Sequence, residues 1–447
     1  MTKKNYRHLT KAQNIAVGFL LIILLGAFLL MLPISSRSGQ WTDPLTALFT
    51  ATSASCVTGL VVVDTYTHWS IFGQICILIM IEIGGLGVIT MGTLVAMVFK
   101  RNITLKSRNL IQESVNSLKI GGVVRLVRMV IKGTLLLEGL GALFMMVYFI
   151  PELGLLRGIY YSIFHSVSAF CNAGFDLMGY QEEYISFVNQ VDVPWLNIPL
   201  MLLIVIGGIG FLVWEDILEK KWHFKRYSFH TKLVMTTTLI LIFGGAILFY
   251  LFEGQRLFAD LSPAGKVYAS LFSAITPRTA GFNTVDLAAL SENSWLLTLI
   301  LMFIGGSPGS TAGGIKTTTV AVVLIFMLSN LKQKRGANVF GRCISDETVK
   351  KALTVFMLNL TLAITAAMLI CGFQDLSMRD VFFEVFSAGA TVGMSTGITR
   401  QLCVASRWVI IFLMYSGRVG SMTFALIFSE GRPEPKIRLP EVDVPIG

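Results

Sequence analysis

The sequence predicts an all-α polytopic membrane protein made of four tandem helix–pore helix–helix repeats, set with pseudo-four-fold symmetry around one central pore. Three observations carry that prediction. First, the chain is too apolar for a water-soluble domain of its size: 54% of its 447 residues are hydrophobic and 14% are charged, with mean hydropathy +0.71, as expected for a chain that crosses a bilayer repeatedly. Second, an apolar stretch ends four times in a short polar segment with one glycine: Cys56-Val57-Thr58-Gly59, Cys171-Asn172-Ala173-Gly174, Arg278-Thr279-Ala280-Gly281 and Ala390-Thr391-Val392-Gly393. These glycines lie 115, 107 and 112 residues apart. Third, a glycine cluster follows each one, at Gly84-Gly85, Gly207-Gly208, Gly305-Gly306 and Gly417, offset by 25, 33, 24 and 24 residues. Such recurrence marks duplicated units, which divide the chain at 1–100, 101–222, 223–335 and 336–447.

The spans come first. A bilayer core needs about 20 apolar residues per helix, and candidates run near 13–33, 70–99, 124–150, 194–217, 231–252, 295–330, 351–372 and 406–429. That is two per unit. Lys3, Lys4, Arg7 and Lys11 give the first the look of a signal peptide. Its apolar run is too long for one and it lacks a small-residue cleavage site, so a retained helix is expected.

Charge sets the orientation. Basic residues crowd the N-terminus, residues 100–132, 220–232 and 332–351, and the tail with Arg432, Lys436 and Arg438. With eight spans all five segments fall on one side, so both termini are expected in the cytoplasm of a multi-pass cell-membrane protein. The net charge of +10 then reflects this bias, with anionic membrane lipids as its electrostatic partner. No basic groove interleaved with aromatics appears, so no nucleic-acid partner is expected.

Between the paired spans lies a stretch of about 15 apolar residues, too short to cross and hence re-entrant. Asp43-Pro44 and Ser262-Pro263 supply helix starts, an N-cap followed by proline at the first turn. The second and fourth short helices begin less sharply, around Leu155 and Ser377. Each would point its C-terminus, with roughly half a negative charge, at the membrane centre, which favours a cation there.

The chain must then return as irregular backbone, which a bilayer tolerates only where it is buried in protein or lines water. Inward-turned carbonyls can replace the hydration shell of a cation, and turning them requires angles that glycine adopts without strain. Glycines serving only as helix-packing points are common, but that reading does not explain the matched offset. No ring of Asp or Glu occupies these positions, so carbonyl and hydroxyl ligands would favour a weakly hydrated monovalent ion. The expected filter is Val57, Thr58 and Gly59; Asn172, Ala173 and Gly174; Thr279, Ala280 and Gly281; and Thr391, Val392 and Gly393. Thr391-Val392-Gly393 matches the start of a potassium-channel filter, a weak signal alone.

Taken together, the filter segments and glycine clusters resemble the Trk/Ktr/HKT superfamily of potassium transporters, and within it the KtrB-type membrane subunits of bacterial Ktr systems. The resemblance covers nearly the whole chain. It implies K⁺ as the transported ion, coordinated at the four filter glycines, uptake driven by membrane potential with Na⁺ stimulation left open, and a bacterial inner-membrane location. Some plant relatives carry serine at the first glycine and are more permissive to sodium; Gly59 favours potassium. The resemblance also implies a homodimer of the pore subunit over a cytosolic ring of RCK-type nucleotide-binding (KtrA-like) subunits. The tail after Glu430 is 17 residues long and no GxGxxG follows a strand, so no nucleotide is expected on this chain itself.

The third unit departs from the others. Its second span is interrupted by Gly305, Gly306, Ser307, Pro308, Gly309, Ser310, Thr311, Ala312, Gly313, Gly314, Ile315 and Lys316, which no straight helix carries. By resemblance, residues 305–315 form an intramembrane gating loop below the filter, with Arg418 as part of the barrier. From the sequence alone Arg418, mid-span, should face water in the pore or a carboxylate such as Glu82 or Glu384. Glu82, Glu138 and Glu384 themselves suit packing networks better than ion binding. Gly309 to Gly314 mimics a phosphate-binding loop, but Ile315 replaces the lysine and no strand precedes it.

The six cysteines and five histidines show no metal spacing. Cys56 and Cys171 hold matched places; a disulfide is one reading, and small-residue packing behind the filter the better one. Ser307 or Ser310 as a hydrolase nucleophile lacks a His or Lys partner, so no enzyme is expected. The alternative function is a Na⁺-coupled secondary transporter with alternating access, a class that usually shows inverted repeats, whereas units of two crossings share one orientation.

Overall fold

The computed structural model describes residues 10–87, 123–221, 223–334 and 336–420. The protein is mostly helical. Lys11–Met31, Val123–Leu153, Phe229–Glu253 and Asp346–Phe373 are its long helices, each long and apolar enough to cross a membrane. Leu21, Leu24, Leu25 and Phe28 on the first, and Ile240, Phe243, Ile247 and Leu251 on the third, remain exposed, as suits faces solvated by lipid tails rather than water. Thr10 opens the first helix with a capping box closed by Gln13.

Each long helix is followed by a short one: Pro44–Ser55, Leu155–Phe170, Pro263–Ile275 and Met378–Gly389. The predicted starts are present. Asp43 accepts a hydrogen bond from the Thr46 amide at 3.0 Å, and Ser262 accepts one from Gly265 at 2.9 Å. Gly154 and Ser377 make no such bond, which is why those two starts are faint in the sequence. The short helices are mostly buried toward their C-terminal ends, and each seats a fully buried phenylalanine, Phe49, Phe164, Phe272 and Phe383.

The second spans differ from expectation. Ile71–Leu86, Pro194–Gly208, Glu292–Phe303 and Val404–Val419 are each shorter than a bilayer crossing; of the expected spans 70–99 and 406–429, residues 88–99 and 421–429 lie outside the described residues. Gly87, Gly210 and Gly420 end three of them with φ of +87°, +98° and +93°, a region open to glycine and strained for other residues. After Gly210 the chain turns by 96° into Phe211–Lys220. The remaining one, Glu292–Phe303, resumes as Thr317–Leu331 after the interruption anticipated at 305–316. Only that break is visible in the sequence as a long glycine-rich stretch; the others hang on the last glycine of Gly84-Gly85-Leu86-Gly87, Gly207-Gly208-Ile209-Gly210 and Gly417-Arg418-Val419-Gly420.

The expected purely α fold needs one correction: Ala337–Val339 and Arg342–Ile344 pair as an antiparallel hairpin, capping Thr317–Leu331 through buried Ala337 and Ile344. Lys3, Lys4 and Arg7, most of the basic stretch 100–132, the boundary at residue 100 and the C-terminal tail lie outside the described residues.

Candidate ion pore

The four filter segments follow their short helices with one backbone pattern. Val57, Asn172, Thr279 and Thr391, each two residues before a filter glycine, have φ of +56°, +58°, +73° and +54°. Gly59, Gly174, Gly281 and Gly393 have φ of +95°, +67°, +83° and +93°. The residue between is not left-handed in any of the four. Left-handed β-branched residues are rare and cost about 1–3 kcal/mol each, so three of them in register demand a compensating framework.

The short helices supply it. Thr58 N donates to Ser53 O at 2.8 Å and Ala173 N to Ser168 O at 2.8 Å, and Val392 N donates to Ser387 O at 2.7 Å. Gly59 N donates to Ser53 Oγ at 3.0 Å and Gly393 N to Ser387 Oγ at 3.1 Å. Ser168 Oγ donates to Phe175 O at 2.7 Å. In the third segment Thr276 Oγ1 donates to Phe282 O, one residue nearer its glycine than the serines are to theirs. These four hydroxyl residues were not singled out from sequence. The signal was there, a Ser or Thr five or six residues before every filter glycine.

The segments meet. A methyl group placed on Gly59 would lie 2.6 Å from Ala173 O, on Gly174 2.8 Å from Ala280 O, on Gly281 2.6 Å from Val392 O, and on Gly393 2.0 Å from Thr58 O. Each glycine thus abuts the carbonyl preceding the next, in the closed order 59, 174, 281, 393. All four line one cavity of about 190 Å³, with Asp64, Asp176, Asp286, Ser395, Thr399 and Arg400 on its walls. On the other side, the buried hydroxyls of Thr58, Thr279 and Thr391 have no hydrogen-bond partner. They remain available to a ligand, which buried hydroxyls seldom are.

Below this ring runs the 305–316 loop. Its grip on its surroundings is mainly through backbone atoms. Ser307 N donates to Gly208 O at 2.9 Å and Phe211 N to Gly309 O at 2.7 Å, while Thr311 Oγ1 donates to Phe170 O at 3.2 Å. A methyl on Gly313 would lie 2.0 Å from Thr391 Oγ1, one on Gly305 2.5 Å from Gly313 O, and one on Gly306 2.2 Å from Ala312 Cβ. Gly314, at φ +63°, sits against Ala390. Ser310 Oγ donates back to Ser307 O at 2.7 Å, and Lys316 Nζ to Ala312 O at 2.7 Å and Gly313 O at 3.3 Å. The glycines are therefore close-approach positions as well as flexible ones.

Arg418 finds neither carboxylate weighed for it. Its guanidinium donates to the carbonyls of Thr311 and Gly84 and to Gly85 O at 3.1 Å. Five fixed donors suit convergent carbonyls, and Gly84 and Gly85 are in the last turn of their helix, where partial negative charge collects. Glu384 instead accepts from Ser395 Oγ at 2.8 Å and from Thr399, and Glu82 from Cys171 Sγ at 3.4 Å. Cys56 and Cys171 are free thiols, both buried.

A family model described as a cation transport protein, TrkH, matches residues 2–439. The chain is 40% identical to the potassium/sodium uptake protein NtpJ of Enterococcus hirae, over all of this chain and 99% of that one. It is 39% identical to the Ktr system potassium uptake protein B of Bacillus subtilis, over 97% of this chain and 96% of the relative. The crystal structure of the potassium transporter TrkH from Vibrio parahaemolyticus shares the fold, with a TM-score of 0.70 at 16% identity over 96% of this chain and 87% of that one. The chain is therefore a transport protein and not an enzyme, and it belongs to the TrkH family of cation transporters.

Proposed function

We propose that the chain takes up potassium across the bacterial cell membrane through a selective pore, driven by membrane potential. The observation that carries this reading is the closed order of four glycines around one cavity. The four matched stretches are then repeats around a central pore, divided as the sequence suggests. K⁺ would shed water against the carbonyls of Thr58, Ala173, Ala280 and Val392 and the glycines after them, the hydroxyls of Thr279 and Thr391 serving its inner end. Four converging helix C-termini add negative potential, and Asp64, Asp176 and Asp286 draw cations to the outer mouth. Relatives named for potassium uptake support the choice of ion.

The loop at 305–315, pinned by Arg418 and Lys316, is the gate in this reading. It lies against the inner end of the filter, and its backbone contacts can be exchanged without moving a packed helix. A homodimer over a cytosolic RCK-type ring is the proposed regulatory assembly, with Na⁺ as a proposed stimulator. Four matched segments that close on one cavity favour a fixed pore over alternating access.

The test is ⁸⁶Rb⁺ uptake into proteoliposomes loaded with K⁺. Uptake suppressed by external K⁺ and hardly by Na⁺ supports the pore. Equal competition by both ions, or flux strictly requiring Na⁺, rejects a potassium-selective pore in favour of a coupled carrier.

A further inference from the structure

Each short helix carries a polar residue directly after its buried phenylalanine: Thr50, His165, Ser273 and Glu384. The four do different things. Thr50 turns its hydroxyl back to Thr46 O at 3.0 Å within its own helix, and Ser273 is a short side chain. His165 and Glu384 are each fully buried and reach past the filter to the chain beyond it. Leu177 N, three residues after Gly174, donates to His165 Nε2 at 3.0 Å. His165 Nδ1 meets Tyr161 O at 2.8 Å, which fixes the ring as the neutral tautomer with its proton on Nδ1. Phe149 stacks on the ring at 5.2 Å with an 8° interplanar angle, leaving it one orientation.

Glu384 braces the fourth segment in the same sense. It accepts from Ser395 Oγ at 2.8 Å and from Thr399 Oγ1, two and six residues after Gly393, and Ser395 Oγ in turn accepts from Gly397 N at 2.9 Å. Ser395, Gly397 and Thr399 line the cavity that holds the four glycines. In the closed order 59, 174, 281, 393 the two braced segments lie diagonally opposite. A carboxyl or imidazole buried without a counter-charge is costly and is retained only with its hydrogen bonds made; here one ties His165 to its own helix at Tyr161 and the rest go to the chain just beyond the filter glycines.

We propose that His165 and Glu384 are positioning residues for ion selection, a diagonal pair of struts that holds the outer ends of segments two and four at the spacing potassium needs. Neither touches the ion. The inference rests on the pore reading above. Selectivity, rather than flux, is the property it governs, because a strut fixes how far apart opposing carbonyls stand while leaving the path open.

The test compares Glu384→Ala with Glu384→Gln, and His165→Ala with His165→Gln, in purified full-length protein. Glutamine keeps an acceptor at the right reach; alanine removes it. Preference for Rb⁺ over Na⁺, from competition in ⁸⁶Rb⁺ uptake, is expected to fall about tenfold in each alanine variant and less than about threefold in each glutamine variant. K⁺-dependent thermal stabilisation in detergent should fall in parallel. Alanine variants that keep wild-type preference overturn the assignment, as do alanine and glutamine variants equally impaired in stability and preference, which would mark a role in folding alone. Wild-type protein with neither Rb⁺ flux nor K⁺ stabilisation instead overturns the pore reading beneath it.

Discussion

The filter ring and the loop beneath it are both irregular backbone inside a membrane protein, yet they are held in opposite ways. Each filter segment is tied to the helix that delivers it, through Ser53, Ser168, Thr276 or Ser387. The 305–316 loop is tied chiefly to distant segments: to Gly208 and Phe211, to Phe170 and to Arg418 more than a hundred residues on. A locally braced segment keeps its shape when its neighbours shift. A segment braced by others changes when they move, which suits a selector and a gate respectively.

The sharpest way to break this contrast is at the ring. Gly393→Ala puts a methyl where Thr58 O lies 2.0 Å away and strains φ of +93°, so ⁸⁶Rb⁺ uptake should fall more than about a hundredfold, each 1.4 kcal/mol of strain or clash being worth about tenfold. Near-normal uptake in that variant would remove the ring from the conduction path. Shortening the loop by deleting 309–314 should raise uptake by the chain alone about tenfold if the loop obstructs the pore; a folded deletion variant with unchanged flux counts against a gate there.

Gly59→Ser probes the ring more finely. The added side chain meets Ala173 O at 2.6 Å, and discrimination against Na⁺ should drop about fivefold as the site is distorted; unchanged competition curves would take Gly59 out of the filter. Arg418→Gln should raise basal flux by about threefold, because it releases Thr311, Gly84 and Gly85 and, in the proposed pore, removes a cation from the path. A fall in flux would make Arg418 a structural clamp instead. The smallest effect belongs to Ser387→Ala, which leaves the Gly393 amide without its 3.1 Å acceptor and should destabilise by about 1 kcal/mol, seen as a lower melting temperature in detergent with flux largely kept.

Much of the proposed filter was legible before any coordinates. Asp43-Pro44 and Ser262-Pro263 state where two of the short helices start, and one glycine at a matched place after each short helix states where the backbone turns; the left-handed Val57, Asn172, Thr279 and Thr391 two residues earlier gave no such signal. The hidden parts are those with weak local signals. Gly87, Gly210 and Gly420 look like ordinary membrane-helix glycines until their positive φ is known. The hydroxyl braces look like common helix serines. Arg418 offered a charge in an apolar span, and charge alone suggested water in the pore or a carboxylate, whereas two carbonyls at a helix end and one in the loop satisfied it.

By itself, then, the sequence determined the membrane class, four matched segments, their glycines and the exceptional third break, since hydropathy, proline, capping residues and positive φ act within a few residues of one another. Only the tertiary structure decided that the segments close on one another in the order 59, 174, 281, 393, that the loop docks beneath them, and what Arg418 holds. Those contacts join stretches a hundred to more than three hundred residues apart, and their geometry depends on how helices pack in three dimensions, which no local pattern encodes.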